Sequence, residues 1–148
     1  MDAIDRKIIA ELLQDARAPY AKIGQRLGLA TTTVHQRVKR LRENGVITGS
    51  RVVVDWEKIG LPVTALISVE HTGTESLKEV AGRLMAIHHI QSCYSVTGEF
   101  DLMVVVRAAS SDHLGAVLEE IRAVASGRSR TVVVLATHFE NRAAPIDG

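Results

Sequence analysis

Over the first 45 residues the apolar positions recur every three to four residues. In IDRKIIAELL, Ile4, Ile8 and Leu12 fall at i, i+4 and i+8, with Ile9 and Leu13 widening the stripe, which predicts an amphipathic helix. The stretch QDARAP interrupts it, and Pro19 suits the first turn of a short second helix, YAKIGQRL, which Gly28 ends as a left-handed cap. A third helix is predicted from Thr31 to Glu43, closed by Asn44-Gly45. A short helix, the turn Gly28-Leu29-Ala30 and a second helix make a helix-turn-helix layout.

After Val46 the period falls towards two. ITGSRVVVDWEKIG is rich in β-branched residues and predicts a strand, with Arg51 to Trp56 serving as the linker, followed by a turn at Gly60. The order beyond it is strand, helix, strand, strand, helix, strand. PVTALISVEH puts Val63, Ala65, Ile67 and Val69 on one face, and TESLKEVAGRLMAI turns Leu77, Val80, Ala81 and Leu84 inward. IQSCYSVTG and DLMVVVRA form the middle strands around the tight turn Gly98-Glu99-Phe100. SSDHLGAVLEEIRAVA buries Leu114, Val117, Leu118 and Ile121, and SRTVVVLATHFE is the last strand. This is an α+β chain with a split-βαβ, ferredoxin-like second half: a four-stranded antiparallel sheet with both helices on one face. The expected divisions are a helix-turn-helix domain over 1–46, a hinge strand over 47–61 and a ferredoxin-like domain over 62–148.

Composition narrows the class. An apolar content of 46% supports real cores, and 3% aromatics makes them aliphatic. The longest apolar runs, LMVVV and TVVVLAT, are too short to cross a bilayer, and MDAIDRKII lacks a signal-peptide layout. A single cysteine, Cys93, makes no intrachain disulfide, which fits a reducing compartment. The expectation is a soluble, cytoplasmic protein without a membrane partner. Charge matters most by position. Residues 1–60 hold 11 Lys/Arg against 7 Asp/Glu, and residues 61–148 hold 7 against 10, so a basic module precedes a mildly acidic one within a net charge of +1.

Much of that basic charge sits in QRVKRLR, inside the third helix. At about 100° per residue, Val34, Val38 and Leu41 share one narrow face. Thr32, His35, Gln36, Lys39 and Arg40 spread over the opposite side, with Arg37 nearer the apolar edge. Hydroxyl and amide groups suit base edges in a major groove, whereas Lys and Arg hold phosphates. The second helix of such a motif reads bases with its N-terminal part. Thr32, Thr33, His35 and Gln36 are therefore the candidate specificity residues. Lys39, Arg40, Arg42 and Arg51 are the candidate backbone clamps, and Arg37 joins the same DNA-binding set. The bland alternative is a solvated basic surface helix; the helix-turn spacing, the charge split and the accompanying sheet domain favour DNA.

IDRKIIAELLQDAR, IGQRLGLATTTVHQRVKRLRENGVITG and VTGEFDLMVVV together resemble the Lrp/AsnC, or feast/famine, family of transcription regulators over nearly the full length. The resemblance implies an N-terminal helix-turn-helix, a hinge strand, and a C-terminal domain that dimerises and senses small molecules, usually amino acids. It implies double-stranded DNA as a partner, nucleoid association, and self-assembly of dimers into an octamer of four dimers, with the effector between neighbouring dimers. By position, Thr97, Gly98, Glu99, Phe100 and Asp101 match the family's effector-binding turn, and Ser95, Val132, Val133 and Val134 match positions implicated in the ligand response. Gly98 allows close approach of backbone N–H groups to a carboxylate, and Asp101 suits an ammonium group. The plainer reading is that Gly98 to Asp101 only makes a hairpin turn. No cofactor is expected beyond the amino-acid effector.

One position departs from the family pattern: the serine usual after Gly-Leu is Ala30 here. Alanine accepts no free N–H of the first turn, a loss of ~1 kcal/mol, and a cap by Thr31 would shift the helix start by one residue. The pair His88-His89 lacks ligands at metal spacing, since neighbours on a strand face opposite sides. Cys93 reads as a small core residue, and no Ser-His-Asp order, P-loop or dinucleotide fingerprint is present. The expected protein is not an enzyme. Two other classes stay open: a sirohaem-decarboxylase-like enzyme, which would share the two-module architecture, and a ligand-blind architectural DNA-binding protein.

Overall fold

The computed structural model describes residues 1–146 and divides into two compact units, Met1–Val53 together with the stretch from Phe139, and Val54–His138. The division falls between Val53 and Val54, inside the expected 47–61 linker, and the stretch from Phe139 groups with the first unit rather than with the sheet.

The first unit contains α1 (Ala3–Gln14), α2 (Tyr20–Leu27) and α3 (Thr31–Glu43). Asp2 and Asp5 form a reciprocal capping box that starts α1, each carboxylate accepting the other residue's amide, at 2.8 and 3.1 Å. Ile8, Ile23, Val34 and Val38 are buried together with Ala18, and Ile4, Leu12, Tyr20, Leu27, Leu29 and Ile47 pack around them. Each buried aliphatic contributes roughly 1.5–3 kcal/mol. Leu13 is exposed, because it lies about 140° round the helix from Ile8 and cannot share that stripe. Pro19 sits at the N-cap of α2 rather than in its first turn, and Gly28 caps its end with φ of 66°.

Ala30, with extended backbone, is the N-cap of α3 and supplies no side-chain bond, so Thr31 does not replace the missing serine. The Ala30 carbonyl accepts the amides of Thr33 and Val34 at 3.0 and 3.2 Å, which opens the helix through the backbone alone. At the other end Gly45 adopts φ of 69°, and the Leu41 carbonyl accepts the amides of Val46 and Ile47.

The expected hinge strand is not a strand in the single chain. Residues 48–55 run without ladder partners, and Val52 and Val53 are 84% and 74% exposed. β-Branched composition favours extended backbone, but a strand exists only when a neighbouring backbone pairs with it. The turn is present: the amides of Gly60 and Leu61 bond back to Glu57 and Trp56, with Gly60 at φ of 85°.

The second unit is the four-stranded antiparallel sheet, in the order β2 (Ile90–Ser95), β3 (Leu102–Ala108), β1 (Val63–Val69), β4 (Ser129–Val133). The crossovers are α4 (Leu77–Leu84) and α5 (Ser111–Val124). Ala65, Ile67 and Val69 of β1 and Leu102, Val104, Val106 and Ala108 of β3 bury against Val80, Leu84, Leu114, Val117 and Ile121, so both helices cover one face. β4 ends well before the expected Glu140. The Val134 amide still bonds Thr64, but continuing the register would bring Ala136 opposite Pro62, which has no N–H to give. His88 and His89 lie in the turn before β2, not on it.

Candidate functional site

The underside of α3 fixes which side chains face water. Val34, Val38 and Leu41 are buried, leaving Thr32, His35, Gln36, Lys39, Arg40 and Arg42 exposed and Thr33 half-buried. Thr31, Thr32, His35 and Gln36 line a shallow hollow at the helix start, where the first-turn N–H groups also point. The Tyr20 ring meets His35 edge-on, 5.8 Å between centroids, and so ties α2 to the candidate base-reading residues.

The cations divide into free and engaged. Lys39 reaches Glu43 only at 3.8 Å on an exposed face, a weak pair. Arg42 makes no ion pair among the described residues, and Arg51 is exposed in the extended stretch after α3. Arg37 is different. Its Nη1 donates to Asp2 Oδ2 at 2.6 Å and to Asp5 Oδ1 at 2.8 Å, and its side chain is only 22% exposed. Arg37 thus braces α1 against α3, because a buried carboxylate binds the nearest guanidinium. Arg40 is shared: Nη2 donates to Asp5 at 3.0 and 3.2 Å, yet the side chain remains 54% exposed.

These contacts set the carboxyl chemistry. The Arg37 hydrogen bond holds the Asp2 carboxyl below its ordinary range. Burial pushes Asp5 up, but the Asp2 amide and Arg37 outweigh it and leave Asp5 lowered as well. Both acids thereby stay ionised beside their arginines.

In the sheet unit, Ser95 ends β2, and Thr97, Gly98 and Glu99 are exposed on the turn to β3, with Gly98 at φ of 120°. Asp101 is half-buried and holds loops together. Its Oδ2 accepts the His71 amide at 2.8 Å, its own amide donates to Val69, and its carbonyl accepts from Val96. Oδ1 has no hydrogen bond among the described residues and remains for another donor.

Composition and periodicity gave no signal for Arg128, which stands just before β4. Its guanidinium pairs with Glu70 at 3.0 Å and Glu99 at 3.3 Å and lies 6.0 Å from the Phe100 ring centre. It therefore clamps the expected effector turn to the end of β1. Gly127 allows this closeness: a Cβ there would stand 2.2 Å from the Glu70 carbonyl oxygen.

Val132, Val133 and Val134 are not brought to that turn. Asp101 bonds to Val69 at one end of β1, whereas Val133 pairs with Ala65, four residues or roughly 13 Å back along the strand. Within one chain the expected effector residues form two separate groups.

Elsewhere, the ring of His89 meets that of His113 at 4.2 Å, but no group of three or more metal-ligating side chains occurs among the described residues. Cys93 packs against the sheet core, and burial pushes its thiol up, away from a reactive thiolate. No helix among the described residues is long and apolar enough to cross a membrane.

Comparison with known proteins matches both units. Residues 1–42 fit the AsnC-type helix-turn-helix domain, and residues 63–144 fit the Lrp/AsnC ligand binding domain. The HTH-type transcriptional regulator FL11 of Pyrococcus abyssi is 35% identical over 147 residues, covering 99% of this chain and 97% of its own. The regulator LrpA of Mycobacterium tuberculosis is 33% identical over 142 residues, covering 96% and 95%. Among solved structures, the M. tuberculosis feast or famine regulatory protein complexed with L-methionine superposes with a TM-score of 0.92 at 33% identity, covering 97% of each chain. AsnC of E. coli superposes at 0.86 with 26% identity, again covering 97% of each. With both units matched in chain order and with such relatives along its whole length, this chain belongs to the Lrp/AsnC family of transcriptional regulators.

Proposed function

We propose that this chain is a sequence-specific DNA-binding transcription regulator that assembles with copies of itself and responds to an amino acid or a related small molecule. The observation that carries the reading is α3: a helix anchored by Val34, Val38 and Leu41 that presents Thr32, Gln36 and Lys39 to solvent at the end of a helix-turn-helix. In a dimer, two such helices enter successive major grooves about 34–36 Å apart. No catalytic step and no cofactor are part of this reading, and its place of action is the nucleoid in the cytoplasm.

Self-assembly is supported by the unpaired stretch carrying Val52 and Val53, and by the separation of Val132 to Val134 from the Asp101 turn. One effector touching both groups takes them from different chains, which suits an octamer of four dimers. That a relative was solved complexed with L-methionine supports an amino-acid ligand here. Glu70, Glu99, Asp101 and Arg128 gather both signs of charge at the turn, as a zwitterion requires.

The test is fluorescence anisotropy on the duplex upstream of the protein's own gene and on a scrambled duplex, each with and without the twenty amino acids. Preference for the native duplex, shifted by one or a few amino acids, is the expected result. Equal, ligand-blind binding to both would support an architectural protein. No binding to either would direct attention to tetrapyrroles.

A further inference from the structure

Asp5 is the one buried carboxylate among the described residues, 1% exposed at the first turn of α1. Oδ1 accepts from Arg37 Nη1 at 2.8 Å and Arg40 Nη2 at 3.2 Å; Oδ2 accepts from the Asp2 amide at 3.1 Å and Arg40 Nη2 at 3.0 Å. A buried charge is tolerated when its lone pairs are filled in this way. Each arginine uses one nitrogen: Arg37 gives Nη1 to two acids and is 22% exposed, whereas Arg40 gives Nη2 to Asp5 alone and is 54% exposed. The Nε and Nη1 of Arg40 have no partner among the described residues. Arg40 stands about 40° from Gln36 around α3, on the side facing away from the core.

Resting on the DNA-binding reading above, we propose that Asp5 is a positioning residue for a phosphate contact made by Arg40. The carboxylate holds Nη2, so the N–H groups of the guanidinium that stay free are aimed at one backbone phosphate before DNA arrives. An arginine held this way gives up little rotamer freedom on binding, and its several donors serve a carboxylate through one nitrogen and a phosphate through another. Lysine, with a single nitrogen, does not span both. The consequence is counterintuitive in sign. Asp5 is negative and lies behind a DNA-facing helix, so charge counting alone predicts tighter binding when it is neutralised. Positioning predicts weaker binding.

The experiment is anisotropy of the full-length protein on the preferred and scrambled duplexes over a salt series, with thermal melting alongside. Arg40→Ala is expected to weaken both duplexes roughly tenfold and to flatten the log–log salt dependence by about one unit. Arg40→Lys is expected to lose nearly as much despite keeping its charge. Asp5→Asn is expected to weaken binding severalfold and to add nothing in the Arg40→Ala background. Arg40→Lys binding like the wild type would overturn the proposal, as would tighter binding by Asp5→Asn. Should Asp5→Asn fail to fold, the two exposed Arg40 variants decide alone. A wild type that binds neither duplex overturns the DNA-binding reading, and this inference with it.

Discussion

A methyl group built on Gly24 would lie 2.6 Å from the carbonyl oxygen of Leu29. The end of α2 and the turn into α3 close around this glycine, whose own carbonyl accepts the amides of Gly28 and Leu29. Backbone cannot retreat cheaply from such a contact. Gly24→Ala is therefore expected to destabilise the first unit by roughly 1–3 kcal/mol. At Gly28, with φ of 66° but nothing within 4 Å of a Cβ, alanine is expected to cost about 1 kcal/mol from backbone conformation alone. Urea unfolding of both variants checks the order; equal costs would show that the Leu29 contact does not matter.

Acid should loosen the same unit in a defined direction. Asp2 and Asp5 are both lowered from the ordinary value of 3.8, so their stabilisation is present in full above that value. It is lost as the pH falls through the lower folded-state values. The expected outcome is a helical circular-dichroism signal that weakens below about pH 4, and a flatter acid limb in Asp5→Asn. A limb that keeps its steepness in the variant would place the acid sensitivity elsewhere.

On DNA, Lys39→Ala is expected to weaken binding to all duplexes alike and to reduce the salt slope by about one. It should leave stability unchanged, since its pair with Glu43 is long and exposed. Gln36→Ala is expected to change which duplex is preferred, by about 1–3 kcal/mol at the contacted base pair. Competition binding against a panel of single-base variants separates the two behaviours, and parallel effects on every duplex would sink the division of roles.

Asp101 carries a structural and a proposed ligand role, and two substitutions separate them. Asparagine keeps an oxygen for the His71 amide but loses the charge; alanine loses both. Asp101→Asn is expected to retain the melting temperature and basal DNA binding while the amino-acid response disappears. Asp101→Ala is expected to lose the response and, in addition, roughly 1–3 kcal/mol of stability from the unsatisfied amide. An intact response in Asp101→Asn would remove the carboxylate from the effector site.

Local pattern carried much of this molecule. The bounds of α3 and the inward faces of β1 and α5 follow from periodicity, because each is decided by which residues leave water along one element. What periodicity missed depends on partners distant in sequence. The 48–55 stretch has strand composition but no neighbouring backbone, and β4 stops at Val133, opposite Ala65 and short of Pro62. Arg37 and Arg40 look alike as bases on a helix; only folding reveals a carboxylate 32 and 35 residues earlier that engages them. Arg128 joins the turn across 58 residues from Glu70 and 29 from Glu99, separations that no local motif encodes.

The distance between Val133 and the Asp101 turn has a consequence for how such a regulator would measure its surroundings. A small molecule that must bridge both groups finds its full set of contacts only where two chains have met. Its apparent affinity then rises with the amount of protein as well as with the amount of nutrient, by ordinary mass action. The response becomes a product of two abundances, and a cell that makes more of the regulator lowers the nutrient level at which it answers.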